Sequence, residues 1–128
     1  MPTRASFDYA IIRVVPRVER EEFLNAGVIL FCRSARYLAA RVALDRERLR
    51  AFAPAVDSAE VESQLDLLAR VAAGDPTAGP IAELSPAERF HWLVAPRSTV
   101  IEISPVHSGL TADPEATLSH LVATMVDT

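Results

Sequence analysis

Alternation of apolar and polar positions predicts that the 128-residue chain begins with a sheet. Residues 9–15 and 37–44 alternate between two faces, as β-strands do. Residues 28–33 are apolar on both faces, which is typical of a central, covered strand. The short polar turn at 33–36 predicts a hairpin between the second and third strands. We therefore expect three early strands joined as an antiparallel meander.

Capping residues and helical spacing predict the helices that follow. Asp45, Asp57, Ser85 and Asp113 each stand at an N-cap position before an apolar stripe. Gly74 is placed to end the helix that begins after Asp57. The helices should therefore carry their caps in the local sequence.

The remaining segments complete the expected architecture. Residues 99–104 predict a fourth strand, residues 105–111 a turn, and residues 1–7 a short N-terminal tail. The fold class is therefore α+β, a single domain whose antiparallel sheet has about four strands, with the order β-β-β-α-α-α-β-α and helices packed on one face. The other sheet face, which carries Arg13 and Arg41, is expected to be open to solvent or to a partner.

Composition favours a soluble protein of the cytoplasm. Hydrophobic residues make up 50% and charged residues 23%, an ordinary globular balance. No apolar run is long enough to span a membrane, and the first residues lack a signal-peptide pattern. Cys32 is the only cysteine and is predicted to be a buried thiol. Residues 1–50 carry a net charge of +4 and residues 51–128 a net charge of −8, which suggests a basic and an acidic surface.

Charged side chains crowd the connector between the first two strands. Paired carboxylates such as Glu21 and Glu22 can act as acid and base or hold a hard cation, although a solvated turn with Arg–Glu pairs is the simpler interpretation. Phe23 and Leu24 are expected to pin the connector to the core. A sharper hypothesis places Arg13 beside Glu22 and Asn25 as an anchor for an anion or a partner.

The segment 104–111 holds hydroxyl groups and an imidazole. These are ingredients of acyl-transfer chemistry, and a small hydrolase would use Ser104, His107 and Glu22 as its catalytic residues. The spacing matches no nucleophile elbow, and a turn whose hydroxyls satisfy backbone groups is the simpler interpretation. An intermediate hypothesis makes His107 and Ser108 an anion site at the start of the last helix.

Other binding chemistries have little support in the sequence. His91 and His107, without a cysteine pair, do not predict a metal site. The four glycines cannot form a phosphate-binding loop, and no cofactor is expected. Nucleic-acid binding remains an alternative for a sheet face on which one aromatic residue accompanies several arginines, namely Arg13, Arg33, Arg36 and Arg41 with Tyr37.

Three segments together resemble a known family. They are YAIIRVVPRVEREEFLNAGVILFC at 9–32, LSPAERFHWLVAPRSTVI at 84–101 and SPVHSGLTADPEATL at 104–118. The chain resembles, over about 9–126, the small bacterial proteins of the Domain of Unknown Function 3037 family. The resemblance implies no catalytic residues. It does imply a genomic association with a HipA-type kinase, and hence a protein partner.

The leading interpretation is a non-enzymatic accessory or protein-interaction module. Its expected binding surfaces are the connector 17–25, the arginines of the early strands and the segment 104–111. A hydrolase and a nucleic-acid binder are the alternatives, and the oligomeric state stays open.

Overall fold

A computed structural model describes residues 4–16, 22–96 and 100–127 of the chain. Within these residues, an antiparallel sheet of five strands is combined with four α-helices, which confirms the predicted α+β class. The elements follow one another as β1 (Ala5–Val14), β2 (Leu24–Cys32), β3 (Tyr37–Val42), α1 (Arg46–Phe52), α2 (Ser58–Ala73), two short 3₁₀ turns (Pro76–Ala78 and Pro80–Glu83), α3 (Pro86–Leu93), β4 (Ile101–Ile103), β5 (His107–Thr111) and α4 (Pro114–Met125).

Strand β1 organises the sheet. It pairs along one edge with β2, and β2 pairs in turn with β3. Its other edge is divided between two short strands, with β5 opposite Ala5 to Tyr9 and β4 opposite Ile12 to Val14. The segment 101–111 therefore runs beside β1 as one interrupted strand, and all pairings are antiparallel.

Alternate side chains of β1 and β2 pack into two separate hydrophobic clusters, one on each face of the sheet. On one face, Ile12, Val14 and Ile29 pack with residues of α1, α2 and α3. On the opposite face, Val28 and Leu30 join a cluster with Leu118, Leu121 and Val122 of α4, together with Phe7, Ile11, Cys32 and Val126. The sheet thus lies between two helical layers.

The expectation that helices cover only one face was wrong. Each residue from Ala26 to Cys32 is buried, so β2 needs apolar cover on both sides. Helix α4 supplies the second layer, and the sheet face that carries Arg41 is consequently not open. The apolar pattern of β2 already implied this cover, because a strand apolar on both faces cannot leave one of them in water.

Two segment assignments also differ from the sequence prediction. Strand β1 begins at Ala5, and Phe7 is 7% exposed, so residues 5–7 belong to the sheet rather than to a tail. Residues 107–111, predicted as a turn, form β5. This edge strand is largely exposed on both faces, so it lacks the apolar alternation by which strands are recognised.

The predicted helix caps are confirmed. The side chains of Asp45, Asp57, Ser85 and Asp113 each accept a hydrogen bond from a backbone N–H in the first turn of the following helix. Gly74 ends α2 in the left-handed conformation with φ of 74°. Local polar chemistry thus sets where these helices begin and where α2 ends.

Candidate functional site

Ser104 is a structural residue of the sheet. It is 3% exposed. Its Oγ accepts a hydrogen bond from Ile11 N–H at 2.8 Å and donates one to the Pro105 carbonyl at 2.9 Å. Its own N–H donates to the Ile11 carbonyl at 2.9 Å. The side chain therefore continues the hydrogen-bond ladder of β1 between β4 and β5, where Pro105 has no N–H to offer.

His107 and Ser108 point to opposite faces of β5, because neighbouring residues of a strand alternate. The exposed His107 ring packs against Tyr9, with ring centroids 5.4 Å apart. Ser108 Oγ donates to the Asp8 carboxylate at 2.6 Å. The two side chains therefore do not converge on one ligand before α4.

The three candidate catalytic residues are not assembled into one site. His107 lies opposite Tyr9, whereas Leu24 lies opposite Val14, five positions further along β1. At about 3.4 Å per residue this is roughly 17 Å, and Glu22 lies beyond Leu24. Ser104 and Glu22 line two different clefts. A hydrolase that uses these residues together has no support in this geometry.

Arg13 and Asn25 do lie side by side, as paired residues of β1 and β2. On its other side, Arg13 is opposite Glu102 of β4. The Asn25 Nδ2 donates to the Met125 carbonyl at 2.9 Å and so ties β2 to the end of α4. Glu21, the other carboxylate named in the connector, falls outside the described residues.

Phe23 is presented to solvent rather than buried. Its side chain is 45% exposed, so the expectation that it pins the connector to the core was wrong, whereas Leu24 does pack against the core. The Arg13 guanidinium lies over its ring, 4.2 Å from the centroid. This cation–π contact holds an aromatic ring at the surface in a defined orientation.

An apolar cleft of about 350 Å³ is lined by Glu22, the residue before Phe23 in the chain. Pro16 contributes from the end of β1. The rest of the lining comes from the end of α1 and the loop after it, residues 52–56. The sequence interpretation missed this cleft because its lining comes from three separate segments. We call Pro16, Glu22, Phe23 and residues 52–56 the Phe23 surface.

Arg41 serves to hold α4 on the sheet. Its guanidinium donates to Ser119 Oγ at 2.6 Å and forms an ion pair with Glu115. The Tyr37 hydroxyl donates to the same carboxylate. The hydrogen bonds from Tyr37 and Arg41 lower the pKa of Glu115, whereas burial and the nearby carboxylate raise the pKa of Tyr37 to about 12.

The arginines proposed for nucleic-acid binding do not share one open platform. Arg13 and Arg41 lie on the face that α4 covers, and Arg41 is engaged with that helix. Arg33 and Arg36 belong instead to the turn between β2 and β3.

Among residues 4–16, 22–96 and 100–127, no three His, Cys, Asp or Glu side chains are grouped closely enough to hold a metal ion. No helix in the same residues is long and apolar enough to cross a membrane.

The comparison with protein families settles the classification. Residues 9–126 match the family described as "Protein of unknown function (DUF3037)". The chain belongs to the DUF3037 family. No curated protein and no solved structure matches it. The DUF3037 match covers β1 from Tyr9, the four other strands and all of α4. Both helical layers therefore belong to the family unit.

Replacing the buried hydroxyl of Ser104 tests its structural role. We expect Ser104→Ala to lower the free energy of unfolding by about 1–3 kcal/mol, because Ile11 N–H would lose its buried acceptor. Urea unfolding measures the change. Ser108→Ala is the matched control. Because the Ser108 hydroxyl is exposed, its removal should change the free energy of unfolding by less than about 0.5 kcal/mol. Equal effects of the two substitutions would contradict the assignment.

The contacts of Glu115 predict how stability depends on pH. The contacts lower the pKa of the Glu115 carboxyl from 4.5. The stabilisation of the fold by the ionised carboxylate is therefore fully present above pH 4.5 and is lost as the pH falls through the lower pKa of the folded state. The pKa of Tyr37 is raised from 10.0 to about 12, so its contribution is present below pH 10 and is lost as the pH rises through 12. We expect Tyr37→Phe to weaken the dependence of the free energy of unfolding on pH at both the acid and the alkaline end, as measured by urea unfolding. An unchanged pH profile would show that this contact does not stabilise α4.

Proposed function

We propose that this DUF3037 chain is a non-enzymatic protein-interaction module of the cytoplasm, which binds a partner protein through the Phe23 surface. The observation that carries the proposal is the exposed Phe23 ring under the Arg13 guanidinium, one residue after Glu22, which lines an apolar cleft. Rigid aromatic side chains and arginines dominate the binding energy of protein interfaces, particularly next to a pocket.

Preorganisation supports this choice of surface. A mobile exposed phenylalanine would lose side-chain entropy on binding, whereas a ring already held by a guanidinium loses less. Glu22 at the edge of the cleft supplies polar character beside the apolar lining, which matches the apolar centre and polar rim of protein interfaces. The resemblance noted above makes a HipA-type kinase the first candidate partner.

The contacts of the candidate catalytic side chains support the proposal that the module is non-enzymatic. Ser104 is committed to the backbone of Ile11 and Pro105, and His107 packs on Tyr9. Neither is arranged with Glu22 around one reacting atom, which a nucleophile and its base require.

Phe23→Ala tests the proposed surface. We expect the variant to bind the partner at least tenfold more weakly, since truncating an aromatic hot spot typically costs about 2 kcal/mol or more. The measurement is affinity capture from the native cell, followed by titration calorimetry with the captured protein and with a HipA-type kinase of the same organism. The free energy of unfolding should change little, because the ring is already half in water.

Leu67→Ala is the matched control, because Leu67 is 37% exposed and belongs to α2, which contributes no residue to the Phe23 surface. The partner should be retained by wild type and by this control and lost by Phe23→Ala. Equal retention by all three chains would contradict the proposed surface. Recovery of no stoichiometric protein would contradict the proposed function.

A further inference from the structure

A second pocket lies at the opposite end of the sheet from Phe23. It has a volume of about 360 Å³ and is lined by residues of two regions. Arg33 and Arg36 come from the turn between β2 and β3, and Ser85, Pro86 and Ala87 come from the start of α3, with Phe31 between them. This volume falls within the usual range for small-ligand sites.

The two arginines of this pocket are uncommitted. Within the described ranges 4–16, 22–96 and 100–127, neither guanidinium forms an ion pair, whereas those of Arg41, Arg46 and Arg70 do. Arg33 lies over the ring of Phe31, 5.7 Å from its centroid. Two unpaired positive charges therefore face one partly apolar pocket.

Two acidic side chains belong to the elements around this pocket, and each accepts a hydrogen bond from a hydroxyl group. Asp8, which pairs with Phe31 in the sheet, accepts a hydrogen bond from Ser108 at 2.6 Å. Glu88, in the first turn of α3, accepts one from Ser85 at 2.8 Å. These hydrogen bonds leave both carboxylates charged, but in the described part of the chain neither carboxylate forms an ion pair with Arg33 or Arg36.

The backbone gives Arg36 an uncommon position. Its φ is 52°, and among the described residues it is the only one other than glycine with a positive φ. The turn closes with a hydrogen bond from Arg36 N–H to the Arg33 carbonyl at 3.0 Å. Glycine or asparagine is favoured in this conformation, so an arginine here is disfavoured by the fold.

We infer that this pocket binds a phosphate monoester attached to an apolar body. A phosphate monoester carries close to two negative charges at neutral pH, which two guanidiniums neutralise, and arginine binds phosphate oxygens in a bidentate manner. Phe31, Pro86 and Ala87 provide apolar contacts for the attached group. The site is independent of the Phe23 surface.

Phenyl phosphate is the probe, because it joins the dianion to a flat apolar ring. Titration calorimetry should show binding to one site in wild type. The double substitution Arg33→Gln with Arg36→Gln should weaken binding by at least about tenfold, since two charge-assisted contacts are lost. Arg48→Gln with Arg50→Gln removes the same charge from exposed positions on α1 and should leave affinity within about twofold.

Arg36→Gly separates binding from folding. Glycine suits the positive φ, so this variant should unfold at a urea concentration equal to or above that of wild type while losing affinity for phenyl phosphate. Phenyl sulfate has a similar shape and one charge less, and it should bind more weakly than phenyl phosphate.

Three results would overturn the inference. They are no binding of phenyl phosphate by wild type, equal affinity in the pocket and control variants, and equal affinity for sulfate and phosphate. A phosphotyrosine peptide distinguishes two sources of the same chemistry. Tighter binding of the peptide than of phenyl phosphate would assign the site to a phosphorylated protein, and equal binding would assign it to a small phosphate ester.

Discussion

The burial of β2 from Ala26 to Cys32 is the constraint on which the structure depends. These residues leave no face for solvent, so the sheet requires cover on both sides. Helices α1, α2 and α3 supply one layer and α4 the other. Transfer of apolar side chains from water drives both packings, at about 25 cal/mol for each Å² buried.

This two-sided cover determines what the polar side chains can do. On the α4 face, Tyr37 and Arg41 bind Glu115, and Asn25 binds the end of the helix, so these side chains stabilise the fold. The two groups of side chains proposed above to bind a partner or a ligand lie at the two ends of the sheet. The connector between β1 and β2 ends beside the exposed Phe23, and the turn after β2 carries Arg33 and Arg36.

Local chemistry in the sequence predicted much of this fold. The Asp or Ser before each of the four apolar stripes does cap a helix. Strand alternation in 37–44 correctly placed Arg41 on the face opposite Leu38, Ala40 and Val42. The edge strand β5 was not predicted because its partners in the sheet, Ala5 to Tyr9, lie near the other end of the sequence. The clefts were missed for the same reason, since residue 16 and residues 52–56 meet only in the folded chain.

The reactivity of Cys32 tests the two-layer arrangement most directly. The thiol is 0% exposed and lies in the cluster beneath α4. A thiol reagent such as Ellman's reagent should therefore react with the native chain about a thousandfold or more slowly than with the chain in urea, because reaction requires opening of the structure. Leu118→Ala, which loosens α4, should speed the native reaction. A native rate close to the rate in urea would show that α4 does not cover this face of the sheet.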